Sequence, residues 1–168
     1  MADAAGVSVP TLRHYFADRE GAIGAVLADA HFGGRRMLEV ARTPTGEFDR
    51  SIRDLVSHIV GGFRFGGLVD LNAIGITEGL ASPRLAKAYL DEILEPTIQA
   101  TADRLAQHGA RGEIRDVDPR HAAIALISPL LILFLHQHRL GGSKHYPTDM
   151  EGFIAAYTEA FIAGYRAK

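Results

Sequence analysis

The chain has 168 residues, of which 47% are hydrophobic, and a formal net charge of −2 at pH 7 with histidine counted as neutral. This length suits one solid core, or a core with a small appended unit, and the charge neither singles out nor excludes nucleic acid as a partner. The absence of cysteine excludes disulfides and thiolate metal sites. No secretory signal peptide is expected, because residues 1–20 lack a continuous apolar stretch.

Residues 2–16 have the pattern of a helix end, a tight turn and a short second helix. Gly6 can take the left-handed conformation that ends a helix without a Cβ penalty. Ser8 is placed to cap the next helix by accepting hydrogen bonds from its backbone N–H groups. Pro10 falls in the first turn of that helix, where its missing N–H costs nothing. The segment therefore predicts a helix-turn-helix.

The short second helix has an apolar back and a polar front. Val9, Leu12 and Phe16 recur on one helical face. The opposite side and its flank carry Pro10, Thr11, Arg13 and His14. A helix of this kind suits the major groove of DNA, although an ordinary helical hairpin would show the same short pattern.

The extended pattern resembles the TetR family of bacterial transcriptional repressors. It consists of Ala-Gly-Val-Ser at residues 5–8, Thr-Leu at 11–12, an aromatic pair at 15–16 and Arg-Glu at 19–20. The resemblance implies a three-helix DNA-binding head followed by an all-helical body that dimerises and holds a small ligand. It also implies that the DNA contacts are made by Ser8, Val9, Pro10, Thr11, Arg13, His14, Tyr15 and Arg19.

Two arginines and the start of the chain refine this comparison. Arg13 stands where the family usually has Tyr, and its guanidinium could bind a phosphate or a guanine edge. Arg19 matches the family's usual Lys and would hold a phosphate. The family's first helix and most of its second would lie before Met1, so the head is expected to be incomplete. Residues 1–46 contain five Arg and five acidic residues, so the charge signal for phosphate neutralisation is weak.

The remaining sequence predicts an all-α fold, with the incomplete head and its connecting helix in residues 1–41 and the body in residues 42–168. Further helices are expected over residues 19–41, 47–63, 68–80, 83–108 and 119–140, with a last helix opened by Pro147. Ser82-Pro83 and Asp118-Pro119 each place a capping side chain before a first-turn proline. Pro96 should kink or interrupt the helix that contains it.

A ligand cavity is predicted at the centre of the body, where large apolar side chains accompany an occasional polar one. The candidate lining residues are Phe63, Phe65, Leu68, Asn72, Ile76, Tyr89 and Phe134. This composition suits a mostly apolar molecule. The same side chains could instead fill the core completely, and the family resemblance favours the cavity.

The last two long helices predict a symmetric homodimer. The 119–140 helix is apolar nearly all round, so it must be covered on several sides, and the last helix carries a broad aromatic stripe. A monomer of this size covers both surfaces with difficulty, although both helices could also be internal core. The expected interface residues are Leu130, Leu133, Phe153, Tyr157, Phe161 and Tyr165.

No metal, cofactor or catalytic site is expected. His136 and His138 are two residues apart, a spacing that directs them about 200° from each other on a helix, and the other histidines are scattered. The sequence contains no phosphate-cradling glycine loop and no nucleophile motif. An all-helical enzyme is therefore the least favoured function.

The resulting hypothesis is a cytoplasmic, homodimeric transcriptional regulator, a repressor released from double-stranded operator DNA by a small apolar effector. The alternative is a truncated module that dimerises or binds a small molecule without reading DNA by itself. No membrane partner is expected, because the longest apolar run, residues 122–135, is too short to span a bilayer.

Overall fold

The computed structural model describes Pro10 and residues 15–168. The regular elements of this part of the chain are helices, so the predicted all-α fold is confirmed. The helices are α1 (Arg19–Arg42), α2 (Phe48–Phe65), α3 (Leu68–Ala81), α4 (Pro83–Tyr89), α5 (Glu95–Ala110), α6 (Pro119–Phe134), α7 (Gly142–His145) and α8 (Met150–Tyr165). π-Helical turns at Leu90–Leu94 and Leu135–Arg139 join α4 to α5 and extend α6.

Side-chain caps determine where several helices begin. Asp18, Ser82 and Asp118 each accept a hydrogen bond from a backbone N–H in the first turn of the helix that follows. A proline occupies the first turn after the last two caps, as predicted. The last helix begins later than predicted, because Asp149 rather than Pro147 precedes it and caps it. The short helix α7 was not predicted.

Pro96 interrupts the helix that contains it, as predicted. A proline has no N–H to donate to the carbonyl four residues earlier. The chain adapts with the π-helical turn Leu90–Leu94, after which the Glu95 N–H donates to the Leu90 carbonyl. Helix α5 then carries Pro96 in its first turn. Such π-helical turns are frequent at functional sites, and this one contributes two side chains to the cavity described below.

The main core lies among α2, α5 and α6, with α8 packed on it. A second, smaller cluster joins α1 to α4 and its π-helical turn; it contains Ile23, Leu27, Leu85, Tyr89 and Ile93. Near its other end, α1 places Ala41 in the main core. Helix α1 is therefore fastened to the rest of the protein near both of its ends.

Helix α6 and its π-helical extension form the most apolar segment of the described chain. Pro119–Arg139 has 21 residues, and its most apolar window of 18 residues has a mean hydropathy of 1.4, which by length and composition would be enough to cross a membrane. Buried core helices pass the same test, and 44% of its most apolar window is buried within the protein. Leu126, Leu130 and Phe134 are completely enclosed. The helix extends beyond the apolar run of residues 122–135 at both ends. Its inward side belongs to the main core.

Candidate ligand cavity and adjoining surfaces

A partly open cavity of about 60 Å³ lies where α1, α2, α3, α5 and α6 meet. Its wall is almost entirely apolar, and none of the described residues that line it is Asp, Glu, Lys or Arg. Phe63, Leu68 and Asn72, which were predicted to line it, do so. Because a single water needs about 10–15 Å³ by this kind of measure, the cavity holds a group of only a few heavy atoms unless the helices separate.

Two further polar side chains, which sequence reasoning missed, reach the cavity wall. His58 Nε2 lies 2.9 Å from the Met37 carbonyl oxygen. A carbonyl only accepts hydrogen bonds, so Nε2 is the donor in this contact. Thr97 Oγ1 donates to the Ile93 carbonyl at 2.8 Å and keeps its lone pairs for a further partner. Together with Asn72, these groups give the apolar cavity a small capacity for hydrogen bonding.

Asn72 is held in place by a buried hydrogen-bond pair. Its Nδ2 donates to the Leu68 carbonyl at 2.7 Å, and its Oδ1 accepts from the Tyr89 hydroxyl at 2.7 Å. The sequence analysis predicted that Tyr89 lines the cavity. In the structure Tyr89 lies behind Asn72 and holds that side chain in place. Phe134 has a similar position, since its ring stacks on Phe63 with centroids 4.9 Å apart.

Two of the predicted lining residues lie elsewhere. Phe65 is 88% exposed at the end of α2, because it follows Phe63 by two residues and therefore faces about 200° away on the helix. Ile76 lies one turn beyond Asn72 and packs against the second core cluster. Neither side chain lines this cavity. His58 could have been found from its spacing of three residues from Leu55, which places it near the inward face of α2.

Burial of Tyr89 predicts a loss of stability at alkaline pH. Burial raises the pKa of Tyr89 from 10.0 to about 12. Between these values the unfolded chain loses a proton that the folded protein retains, so the free energy of unfolding falls as pH rises. We expect Tyr89→Phe to lower stability at pH 7 by about 1–2 kcal/mol, since Asn72 Oδ1 loses its donor, but to flatten this alkaline decline.

The measurement is urea unfolding of both proteins at pH 8 and pH 11. Burial also raises the pKa of Tyr157 to about 12, so part of the decline should persist in the variant. Equal declines in the wild type and in Tyr89→Phe would contradict the prediction.

The predicted DNA-contacting residues fall mostly outside the described part of the chain. Ser8, Val9, Thr11, Arg13 and His14 lie outside it. Pro10 is helical and exposed, and Tyr15 is 73% exposed. Arg19, expected at a phosphate, instead forms an ion pair with Glu78 of α3, whose two carboxylate oxygens each lie 2.6 Å from a guanidinium nitrogen.

The exposed apolar face of α6 and α8 differs from the predicted dimer interface. Leu130, Leu133 and Phe161 are buried in the protomer's own core, so their assignment to a partner surface is corrected. Tyr157 and Tyr165 are half-buried; the Tyr157 hydroxyl donates to the Ala125 carbonyl, and the Tyr165 ring stacks on Phe161. The exposed apolar side chains of the two helices include those of Ile124, Ile132, Phe153, Ala156, Ala160 and Ala163. Of the predicted interface residues, Phe153 alone belongs to this exposed set.

This face combines large apolar side chains with small ones. Ile132 is 63% exposed, and Ile124 and Phe153 are each 38% exposed. Phe153, Ala156, Ala160 and Ala163 recur at intervals of three and four residues along α8, a spacing that places them on one helical face. Small side chains in such a row let a second helix approach closely.

Among the described residues, no group of three His, Asp or Glu side chains could hold a metal ion.

Comparisons with known proteins match this architecture. A family model described as the C-terminal domain of AefR-like transcriptional repressors matches residues 50–167, which is more than half of the chain. The solved structure of a protein assigned to the TetR family of transcriptional regulators, from Mesorhizobium loti MAFF303099, superimposes with a TM-score of 0.75 at 23% identity; it covers 99% of this chain and 84% of that chain. At this identity the structural likeness shows the fold alone. No curated protein matches the sequence.

Proposed function

This chain belongs to the TetR family of transcriptional regulators, and from that premise we propose that it is a repressor released from operator DNA by a small, neutral, mostly apolar effector. The observation that carries the proposal is the cavity, which is mostly apolar, has no Asp, Glu, Lys or Arg among the described residues that line it, and is bounded on one side by α1. Burying a charged ligand in such a wall would cost several kcal/mol without a partner. A neutral molecule with one hydroxyl or amide group matches the His58, Asn72 and Thr97 side chains.

Helix α1 supplies a route from the cavity to the DNA-binding segment. Its last turns line the cavity with Met37, Leu38 and Ala41. Its first turn follows directly on the predicted recognition helix. An effector that separates α1 from α2 would shift the far end of a helix of 24 residues, which is about 36 Å long. The two recognition helices of a dimer would then be wrongly spaced for one face of the duplex, and DNA affinity would fall.

The proposal is tested in two steps with the full chain. Selection from a pool of random duplexes should enrich one sequence with two-fold symmetry, and titration of small neutral alcohols, phenols and amides should reveal a compound that releases it. The same compound should lose its effect in Asn72→Leu, while Asn72→Leu still binds the enriched duplex. An effector that binds in the cavity and leaves operator affinity unchanged would refute the repression mechanism.

We propose that the exposed α6–α8 face pairs with the same face of a second copy. A two-fold interface needs a self-complementary surface. Here Ile132 and Phe153 provide large side chains that project, and the alanines of α8 provide small ones that leave room for them. Ala160→Arg should therefore convert the dimer to a monomer at micromolar concentration, because a guanidinium would be buried at the centre of the contact. Light scattering coupled to size exclusion measures the mass directly.

The matched control is Ala106→Arg, which places the same side chain on an exposed position of α5 away from this face. It should leave the mass at twice that of the protomer. A wild-type monomer at micromolar concentration, or an unchanged mass in Ala160→Arg, would overturn the assignment of the interface.

The described charges also support a second candidate function. The start of α1 and its neighbours contribute two guanidiniums, from Arg19 and Arg84, but three carboxylates, from Asp18, Glu20 and Glu78. This is a poor surface for phosphate, and it favours a module that dimerises and binds a small molecule without reading DNA. Failure of the duplex selection, with dimerisation and effector binding intact, would support this alternative.

The division into a head, residues 1–41, and a body, residues 42–168, is retained as part of the proposal, since the family model begins only at residue 50. We also propose a cytoplasmic location, where a transcriptional regulator meets its DNA.

A further inference from the structure

Arg19, the first residue of α1, is bound to the body by a bidentate ion pair. Arg19 Nη1 and Nη2 donate to the two carboxylate oxygens of Glu78, each at 2.6 Å. This parallel arrangement is the most favourable geometry that a guanidinium and a carboxylate can adopt. The Glu78 side chain is only 20% exposed, whereas that of Arg19 is 64% exposed. The carboxylate is therefore the fixed partner, and the guanidinium is the group that can exchange its ligand.

Among the described residues, the carboxylates next to Arg19 in sequence pair with Arg84 rather than with Arg19. Arg84 from α4 lies 3.4 Å from Asp18 and 3.9 Å from Glu20, so it occupies the two nearest carboxylates. Hydrogen bonding to Glu78 raises the pKa of Arg19, and the same bond lowers the pKa of Glu78. Both groups are charged at neutral pH, and their pairing does not depend on pH in the physiological range.

We infer that Glu78 is an internal competitor of DNA: it holds the Arg19 guanidinium in the free protein, and a backbone phosphate must displace it. A carboxylate and a phosphate use the same bidentate face of a guanidinium. Glu78 occupies the edge formed by Nη1 and Nη2, so a phosphate that binds at this edge must displace it. This inference rests on the proposed DNA-binding function, and it assigns to Glu78 a positioning role that acts through Arg19.

Helix α3 connects this ion pair to the cavity. Leu68 and Asn72, near the start of α3, line the cavity, and Glu78 lies in the later part of the same helix. The helix is anchored on its other side, where Gly75 lies against the Tyr89 ring. A ligand that shifts α3 would change the reach of Glu78 toward Arg19. The competitor is thus carried by an element that also contacts the effector.

The test is the affinity of the full chain for a fluorescein-labelled 30-base-pair duplex of mixed sequence, measured by anisotropy at low salt. Glu78→Gln should raise the affinity for the duplex about two- to fivefold for each protomer that contacts it. This is the range expected when Arg19 is released from an exposed ion pair. The dependence of affinity on salt concentration should steepen as well, since Arg19 would then displace counterions without first breaking an internal pair.

Removal of any negative charge near DNA could raise affinity, so two further variants isolate the competition. Glu78→Gln in an Arg19→Gln background should have no effect, because the competed group is absent. Glu20→Gln removes a carboxylate that lies next to Arg19 in sequence but pairs with Arg84, and it should have a smaller effect than Glu78→Gln. Circular dichroism of each variant verifies that the helices are retained.

An equal gain from Glu78→Gln with and without Arg19 would overturn the inference, since the effect would then be general repulsion. An unchanged affinity in Glu78→Gln, with measurable binding by the wild type, would also overturn it while leaving the proposed function intact. If the wild type and all variants fail to bind duplex DNA, both the proposed function and this inference fall.

Discussion

Replacing Arg104 by Met should lower the free energy of unfolding by about 3 kcal/mol, the largest effect that we expect from a single substitution outside the DNA-binding segment. Arg104 is 1% exposed, and its guanidinium donates to backbone carbonyls of two different helices. Nε donates to Ala41 at 2.7 Å, Nη2 to Val40 at 2.6 Å and Nη1 to Ser51 at 2.7 Å. Met would preserve the apolar volume of the side chain but remove the guanidinium donors from all three carbonyls, two of which have no helical partner.

The sign of this effect depends on two opposing terms. Burial lowers the pKa of Arg104, because removing a cation from water is costly, and the charge of Asp54 opposes that shift. The substitution would relieve the desolvation cost. However, two of the three acceptors belong to the last turn of α1, where carbonyls lack helical partners and the helix dipole favours a cation. Hydrogen bonds from a charged donor contribute about 1.5–3 kcal/mol each, so their loss outweighs the relief.

Urea unfolding of Arg104→Met at pH 7 measures this difference. Arg104→Lys should lose less, since its single ammonium can reach some but not all of the three carbonyls. Arg120→Gln is the matched control, because Arg120 forms an exposed bidentate ion pair with Glu95, and its effect should be much smaller than that of Arg104→Met. A loss of less than about 1 kcal/mol in Arg104→Met would show that desolvation dominates.

Helix positions followed from local features that the sequence displays directly. Capping residues before prolines predicted the starts of α4 and α6, and Pro96 predicted the break before α5. These predictions were possible because capping and proline effects act within a single helical turn. The role of Arg104 could not be predicted in this way. Its three acceptors lie more than fifty residues earlier in the chain, and only the tertiary structure brings α1, α2 and α5 together.

The predicted dimer residues illustrate a second limit. On a helix that is apolar nearly all round, periodicity cannot distinguish the side that faces the protomer core from the side that faces a partner. Leu130 is completely buried, whereas Ile132, two residues later, is 63% exposed. The cavity was easier to locate, because Phe63, Leu68 and Asn72 follow one another around the α2–α3 junction. His58 was not predicted to line the cavity, because a polar residue on a helix is normally expected at the surface.

Gly75→Ala should lower the free energy of unfolding by about 2 kcal/mol, although alanine is the better helix former. Gly75 lies within α3, and a Cβ atom there would be 2.1 Å from Tyr89 Cδ2 and 2.6 Å from Cγ. Tyr89 cannot retreat easily, because it is packed among Leu27, Leu85 and the rest of the second core cluster. Overpacking of this kind costs about 1–3 kcal/mol. Displacing the ring would also break the buried hydrogen bond to Asn72.

Gly61→Ala separates this clash from helix propensity. Gly61 lies inside α2, and a Cβ atom there would meet no heavy atom within 4 Å, so the substitution should raise stability by up to about 1 kcal/mol. The two variants therefore change stability in opposite directions for the same chemical change. In a Tyr89→Leu background, the cost of Gly75→Ala should shrink, because the smaller side chain leaves room for the methyl group. An undiminished cost in that background would mean that the clash with Tyr89 is not its cause.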